Sequence, residues 1–100
     1  MLEAILQNLE VEEACKDFDV KRLHVFGSAV SEEAEESNDI DFVVEFEREG
    51  YSGAFDQFMG FKEALENVLG KPVDLLVSKR FRNPVFQDQV DKTKKLVYAA

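Results

Sequence analysis

The sequence predicts an α+β domain, a small mixed β-sheet with helices packed on one face. Three observations predict it. Apolar residues recur at helical spacing in the N-terminal segment, the run DIDFVVEF at 39–46 alternates with the period of a strand, and a second helical run gives way at Gly70 and Pro72 to the apolar segment VDLLV. With 100 residues, 45% of them hydrophobic and 33% charged, the chain suits one domain spanning 1–100 rather than a disordered tail.

Leu2, Ile5, Leu6, Leu9, Ala14, Cys15 and Phe18 carry the first helical spacing, which predicts a helix over 2–15 with Cys15 on its apolar stripe. Lys21 to Phe26 is short and β-favouring, with Leu23 and Val25 on one face, and Gly27-Ser28 breaks it. In Asp39 to Phe46, Ile40, Phe42, Val44 and Phe46 share one face while Asp39, Asp41, Val43 and Glu45 share the other. Gly50 to Gly53 reads as a loop. In Ala54 to Leu69 the spacing of Phe55, Phe58, Met59, Phe61, Leu65, Val68 and Leu69 suits a helix with Gly60 a tolerated weak point, its phenylalanines in the core and Phe55 or Phe58 in excess. Pro72 to Val77 is a strand whose Asp74 leaves the face opposite Val73, Leu75 and Val77. Asn83 and Pro84 open a short helix to about Lys92, and Leu96 to Tyr98 suits a terminal strand.

Charge is uneven. Ser31 to Glu49 holds nine acids and one base, whereas Lys79 to Lys95 holds six bases and two acids, and the whole chain carries −9. Such a surface repels a nucleic-acid backbone and attracts a basic protein, so no direct nucleic-acid binding is expected. A solvated acidic loop explains the same charge equally well. No apolar run reaches the ~20 residues of a membrane span, and the N-terminus has no basic leader, so a cytoplasmic domain is expected. A single cysteine excludes an internal disulfide and a multi-cysteine zinc site.

Asp39 and Asp41 leave one strand face roughly 6.5–7 Å apart at Cα. Like charges held side by side make sense around a cation or in open water. If the strand of Asp74 lies alongside, the carboxylates converge. Oxygen-only ligation of that kind suits Mg²⁺ or Mn²⁺, and such a set can hold two ions for phosphoryl or nucleotidyl transfer. Gly27-Ser28 follows a strand, where glycine admits a phosphate to the backbone and serine adds a hydroxyl. Each signal alone has an ordinary explanation: a turn for Gly-Ser, a solvated face for Asp-x-Asp, an edge charge for Asp74. His24 is out of phase with Leu23 and Val25 and so shares the carboxylate face, where a hydrogen-bonded structural histidine is the commoner case.

Taken together, Gly27-Ser28, Asp39-Ile40-Asp41 and Asp74, in the runs HVFGS, SNDIDFVVEF and ALENVLGKPVDLLV, resemble the DNA polymerase β nucleotidyltransferase superfamily, and within it the minimal nucleotidyltransferase (MNT) proteins. The resemblance runs from about Lys21 to Tyr98. It implies a polymerase β-like fold in which Gly27 and Ser28 bind the nucleotide's phosphates and Asp39, Asp41 and Asp74 hold two Mg²⁺ ions and carry catalysis. It implies a nucleotidyltransferase that uses ATP and serves as the antitoxin of a HEPN/MNT toxin–antitoxin pair, with transfer of AMP to a tyrosine of the HEPN ribonuclease toxin. One departure stands out. Where many minimal members carry Arg-x-Arg-Gly after Gly-Ser, this chain has Ala29, Val30, Ser31 and Glu32, which admits a second reading, an antitoxin that neutralises its toxin by binding alone.

Overall fold

The computed structural model describes residues 2–27, 39–47, 53–77 and 84–100. Helices α1 (Leu2–Leu6) and α2 (Leu9–Asp17) lead into strand β1 (Val20–Phe26), followed by β2 (Ile40–Phe46), α3 (Ala54–Leu69), β3 (Val73–Val77), α4 (Pro84–Thr93) and β4 (Lys95–Ala99). The sheet runs β3-β2-β1-β4. β1 is antiparallel to both β2 and β4, and β2 is parallel to β3, so the sheet is mixed as expected.

The N-terminal helix predicted over 2–15 is two helices. Asn8 adopts extended backbone and its Oδ1 accepts the N–H groups of Glu10 at 2.9 Å and Val11 at 3.2 Å. An asparagine side chain that can cap a new helix competes with helix continuation, and hydrophobic spacing carries no trace of that competition.

One face of the sheet carries the core. Leu23 and Val25 of β1, Ile40, Phe42 and Val44 of β2, and Val73 and Leu75 of β3 pack with Ile5, Val11, Ala14 and Cys15 from α1 and α2 and with Phe61 and Leu65 from α3. Phe61 is fully buried, its ring 6.0 Å from Phe18 and 5.9 Å from Phe46 between centroids. Its truncation to alanine costs about 3–5 kcal/mol. Phe58 joins this core at its margin while Phe55 is 74% exposed. Gly60 is not merely a tolerated weak point: a Cβ there would stand 2.6 Å from Cε1 of Phe18. The glycine is what lets the Phe18 ring lie against α3, where Gln57 Nε2 also donates to the Phe18 carbonyl at 2.8 Å.

The expectation of helices on one face holds for α1, α2 and α3, but α4 departs from it. Its Val90 is buried with Phe26 and Val43, and Leu76 packs beside them. These side chains belong to the carboxylate face, so Val43 is covered rather than solvated. An alternating strand shows which residues share a face, not whether a later helix returns to cover it.

Candidate functional site

β1 ends at Phe26, and Gly27 follows with φ +70°. That left-handed turn is open to glycine at little cost. The antiparallel register sets Phe26 opposite Asp41, and the parallel register sets Asp41 opposite Asp74. Directly paired residues share a face, so Asp74, Asp41 and Phe26 form a row across three strands, the two aspartates on neighbouring backbones about 4.8 Å apart. Asp39 stands exposed, one residue ahead of β2 rather than within it. Gly27 packs against the same carboxylate: a Cβ on it would meet Oδ2 of Asp41 at 2.5 Å.

The electrostatics match this placement. Asp41 is half-buried, and its pKa is raised above the ordinary 3.8 by burial first, then by the charges of Asp74 and Asp39. The charges of both other predicted carboxylates are thus felt at Asp41. Among the described residues no three acidic, histidine or cysteine side chains already stand together as a metal cage. The donor set itself, oxygen-only and self-repelling, fits a hard divalent cation, which would relieve the repulsion that Asp41 feels.

Ser28, the run of acids from Glu32 to Glu36, and Lys79, Arg80 and Arg82 lie outside the described residues. His24 does share the carboxylate face, paired with Val43 one row below Asp41. Its pKa is lowered by partial burial and by Lys94 and Arg22, against a smaller opposing effect of Glu45, so the charges it feels belong to the far end of that face rather than to the aspartates. Glu45 is held below the usual carboxylate range chiefly by its hydrogen bond from Arg22, Nη1 to Oε2 at 2.6 Å. Sequence reasoning did not single out α4, which closes the carboxylate face beside the aspartates through Val90. Its start signals, Asn83 and Pro84, are visible in the sequence, its side of the sheet is not.

The family described as polymerase beta, nucleotidyltransferase, matches residues 9–100. A Methanocaldococcus jannaschii protein, provisionally named a protein adenylyltransferase, is 35% identical over 75 residues, 75% of this chain and 74% of that protein. A solved structure of a provisionally named minimal nucleotidyltransferase superposes with a TM-score of 0.67 at 32% identity, covering 90% of this chain and 93% of that one. The fold is also that of one chain in the structure of a tri-AMPylated Shewanella oneidensis HEPN toxin in complex with MNT antitoxin, with TM-score 0.63, 19% identity and coverage of 100% of this chain and 74% of that one.

Proposed function

The chain belongs to the polymerase beta nucleotidyltransferase family, and from that membership we propose that it is an antitoxin that transfers AMP from ATP to a tyrosine hydroxyl of a HEPN toxin. The single observation that carries the reading is the pairing of Asp41 with Asp74 across β2 and β3, under the glycine turn at Gly27. The protein adenylyltransferase name of the Methanocaldococcus jannaschii relative supports the reaction, and the AMPylated HEPN toxin of the Shewanella oneidensis complex supports the acceptor.

In this reading the triphosphate lies along the turn, where the Gly27 backbone admits it closely and Ser28 offers a hydroxyl. Asp39, Asp41 and Asp74 are the residues that would hold divalent cations, Asp39 and Asp41 towards the nucleotide and Asp41 and Asp74 towards the acceptor. Bound there, Mg²⁺ supplies positive charge against the phosphates and lowers the pKa of the acceptor hydroxyl. The acceptor oxygen attacks the α-phosphorus in line and its proton passes to water. The bond from the α-phosphorus to the oxygen bridging it to the β-phosphate breaks and pyrophosphate leaves. Asp41 spans both halves of the site, so its orientation against Gly27 sets the angle between nucleotide and acceptor.

The test is incubation of the purified protein with α-labelled ATP and Mg²⁺, with and without a HEPN partner, followed by intact mass. The expected result is a gain of one AMP on the partner, abolished by Asp39→Ala. A specific observation favours the second reading, neutralisation by binding alone: four glutamates fall between Glu32 and Glu36, directly after the phosphate turn, where they would oppose a triphosphate. A stable complex that silences the toxin without mass change, and survives Asp39→Ala with Asp41→Ala, would establish it.

A further inference from the structure

β3 carries Asp74 and is also an outer strand of the sheet. The two edges are built differently. β4 has a register shift opposite Leu23 and His24 and opens with Lys95 next to Lys94. Bulges and lysines are the devices that blunt an edge against strand addition. β3 has neither: VDLLV contains no lysine or proline, and its pairing with β2 runs unbroken from Ile40 opposite Val73 to Val44 opposite Val77.

The ladder shows which backbone groups are left over. Ile40 N–H donates to the Pro72 carbonyl at 3.1 Å. In a parallel pair this assigns Pro72, Asp74 and Leu76 to the β2 side and turns the N–H and C=O groups of Val73, Leu75 and Val77 outward. Glu66 of α3 reaches round the start of the strand and takes the Val73 N–H on its Oε2 at 3.0 Å. The outward N–H groups of Leu75 and Val77 have no acceptor among the described residues, and Val77 is 44% exposed.

We propose that this edge docks an extended segment of the acceptor protein as an added strand, with the hydroxyl-bearing side chain opposite Asp74. The proposal rests on the transferase reading and deepens it. A residue opposite Asp74 on an added strand shares its face, with Cβ atoms about 4.5–5.5 Å apart. A tyrosine there lays its ring along the row that leads to Asp41. The outward backbone pairs give affinity and the alternation of side chains gives choice. Because Asp39, Asp41 and Asp74 share the patch, the segment this edge fits carries basic residues beside the tyrosine.

The test uses a seven-residue peptide of alternating valine and threonine about one central tyrosine, with lysine at each end. Amide exchange is followed by NMR on the whole chain with millimolar peptide, and AMP transfer to the peptide is read separately by mass. The expected result is at least tenfold slower exchange at Leu75 and Val77 and no change along β4. Val77→Pro removes only an outward N–H, so it should abolish the slowing at Leu75 while AMP-PNP binding stays within twofold. A peptide N-methylated on both sides of its tyrosine should also fail to slow exchange, whether or not Val77→Pro folds. Slowing along β4, slowing nowhere, or slowing that follows protein concentration without peptide overturns the proposal, the last by assigning the edge to a second copy of the chain. Edge protection by the peptide with no AMP transfer to either the peptide or a HEPN partner removes the transferase reading and keeps the docking site. Transfer that persists with both amides unprotected does the reverse.

Discussion

A Cβ on Gly27 would stand 2.5 Å from Oδ2 of Asp41, so the turn after β1 and the central carboxylate occupy one space that only a glycine leaves open. Gly27→Ala must either push that carboxylate aside or move the turn, whose φ of +70° costs an alanine about 1–2 kcal/mol. A misplacement of ~1 Å at a reacting centre costs on the order of 10²-fold in rate. The expected outcome is at least a hundredfold loss of AMP transfer with a fall in melting temperature of roughly 4–16 °C, the domain still folding. Labelled-ATP assays and thermal melts on the same preparation check both halves.

Asp41 is a second place where the site is held at the expense of the fold. Burial and the charges of Asp74 and Asp39 raise its pKa, so its folded value lies above its unfolded one. Such a group contributes stability below the unfolded pKa and loses it as pH rises through the folded pKa. At pH 7 the ionised carboxylate is therefore a burden. Asp41→Asn, which keeps the shape and removes the charge, should melt higher than the parent at pH 7 and level with it near pH 3. In a domain of this size even ~0.5 kcal/mol moves the midpoint by roughly 2–4 °C. The same substitution should abolish transfer, and Mg²⁺ should raise the melting point of the parent more than that of the variant.

The shared face of Asp41 and Asp74 was legible because strand alternation is a rigid rule: within β2 and β3 they had to leave the faces opposite Phe42 and Val73. Only the neighbour relation of β2 and β3 had to come from the structure, and it came in register. Three features were not legible. The helix break at Asn8 depends on a side chain choosing backbone donors, the need for Gly60 depends on where the Phe18 ring comes to rest, and the cover over Val43 depends on which side α4 returns. The first is a local choice of hydrogen-bond partner that hydrophobic periodicity does not register, and the other two are decided by contact between segments, which periodicity within one segment cannot carry.

Gly60 makes that difference measurable. By helix propensity alone, Gly60→Ala in the middle of α3 should stabilise by about 1 kcal/mol. The structure reverses the sign, because the new methyl would stand 2.6 Å from Cε1 and 3.1 Å from Cζ of Phe18, a ring fixed against Phe61. Overpacking of this kind costs about 1–3 kcal/mol. Denaturant titration should show Gly60→Ala less stable than the parent, and Phe18→Leu should cost less in the Gly60→Ala background than alone.

Cys15 is fully buried on α2 and its pKa is pushed from 9.0 to about 12, by burial first and by the nearby Glu12 second. The thiolate is the reactive form, so at pH 8 the native thiol should resist Ellman's reagent and react only at the rate at which the domain opens. The sign of the linkage makes the same point through stability. A folded pKa above the unfolded one means that stability is intact below pH 9 and is lost as pH climbs from about 9 towards 12, because the unfolded chain ionises first. Cys15→Ala removes that alkaline loss but empties part of a packed core position, at about 1 kcal/mol on the scale of a buried methylene. The variant should therefore be less stable than the parent at pH 7, and the gap should narrow above pH 9. A gap that stays constant across that range would mean that the thiol ionises as readily in the folded domain as in the unfolded chain, against its full burial on the core side of α2.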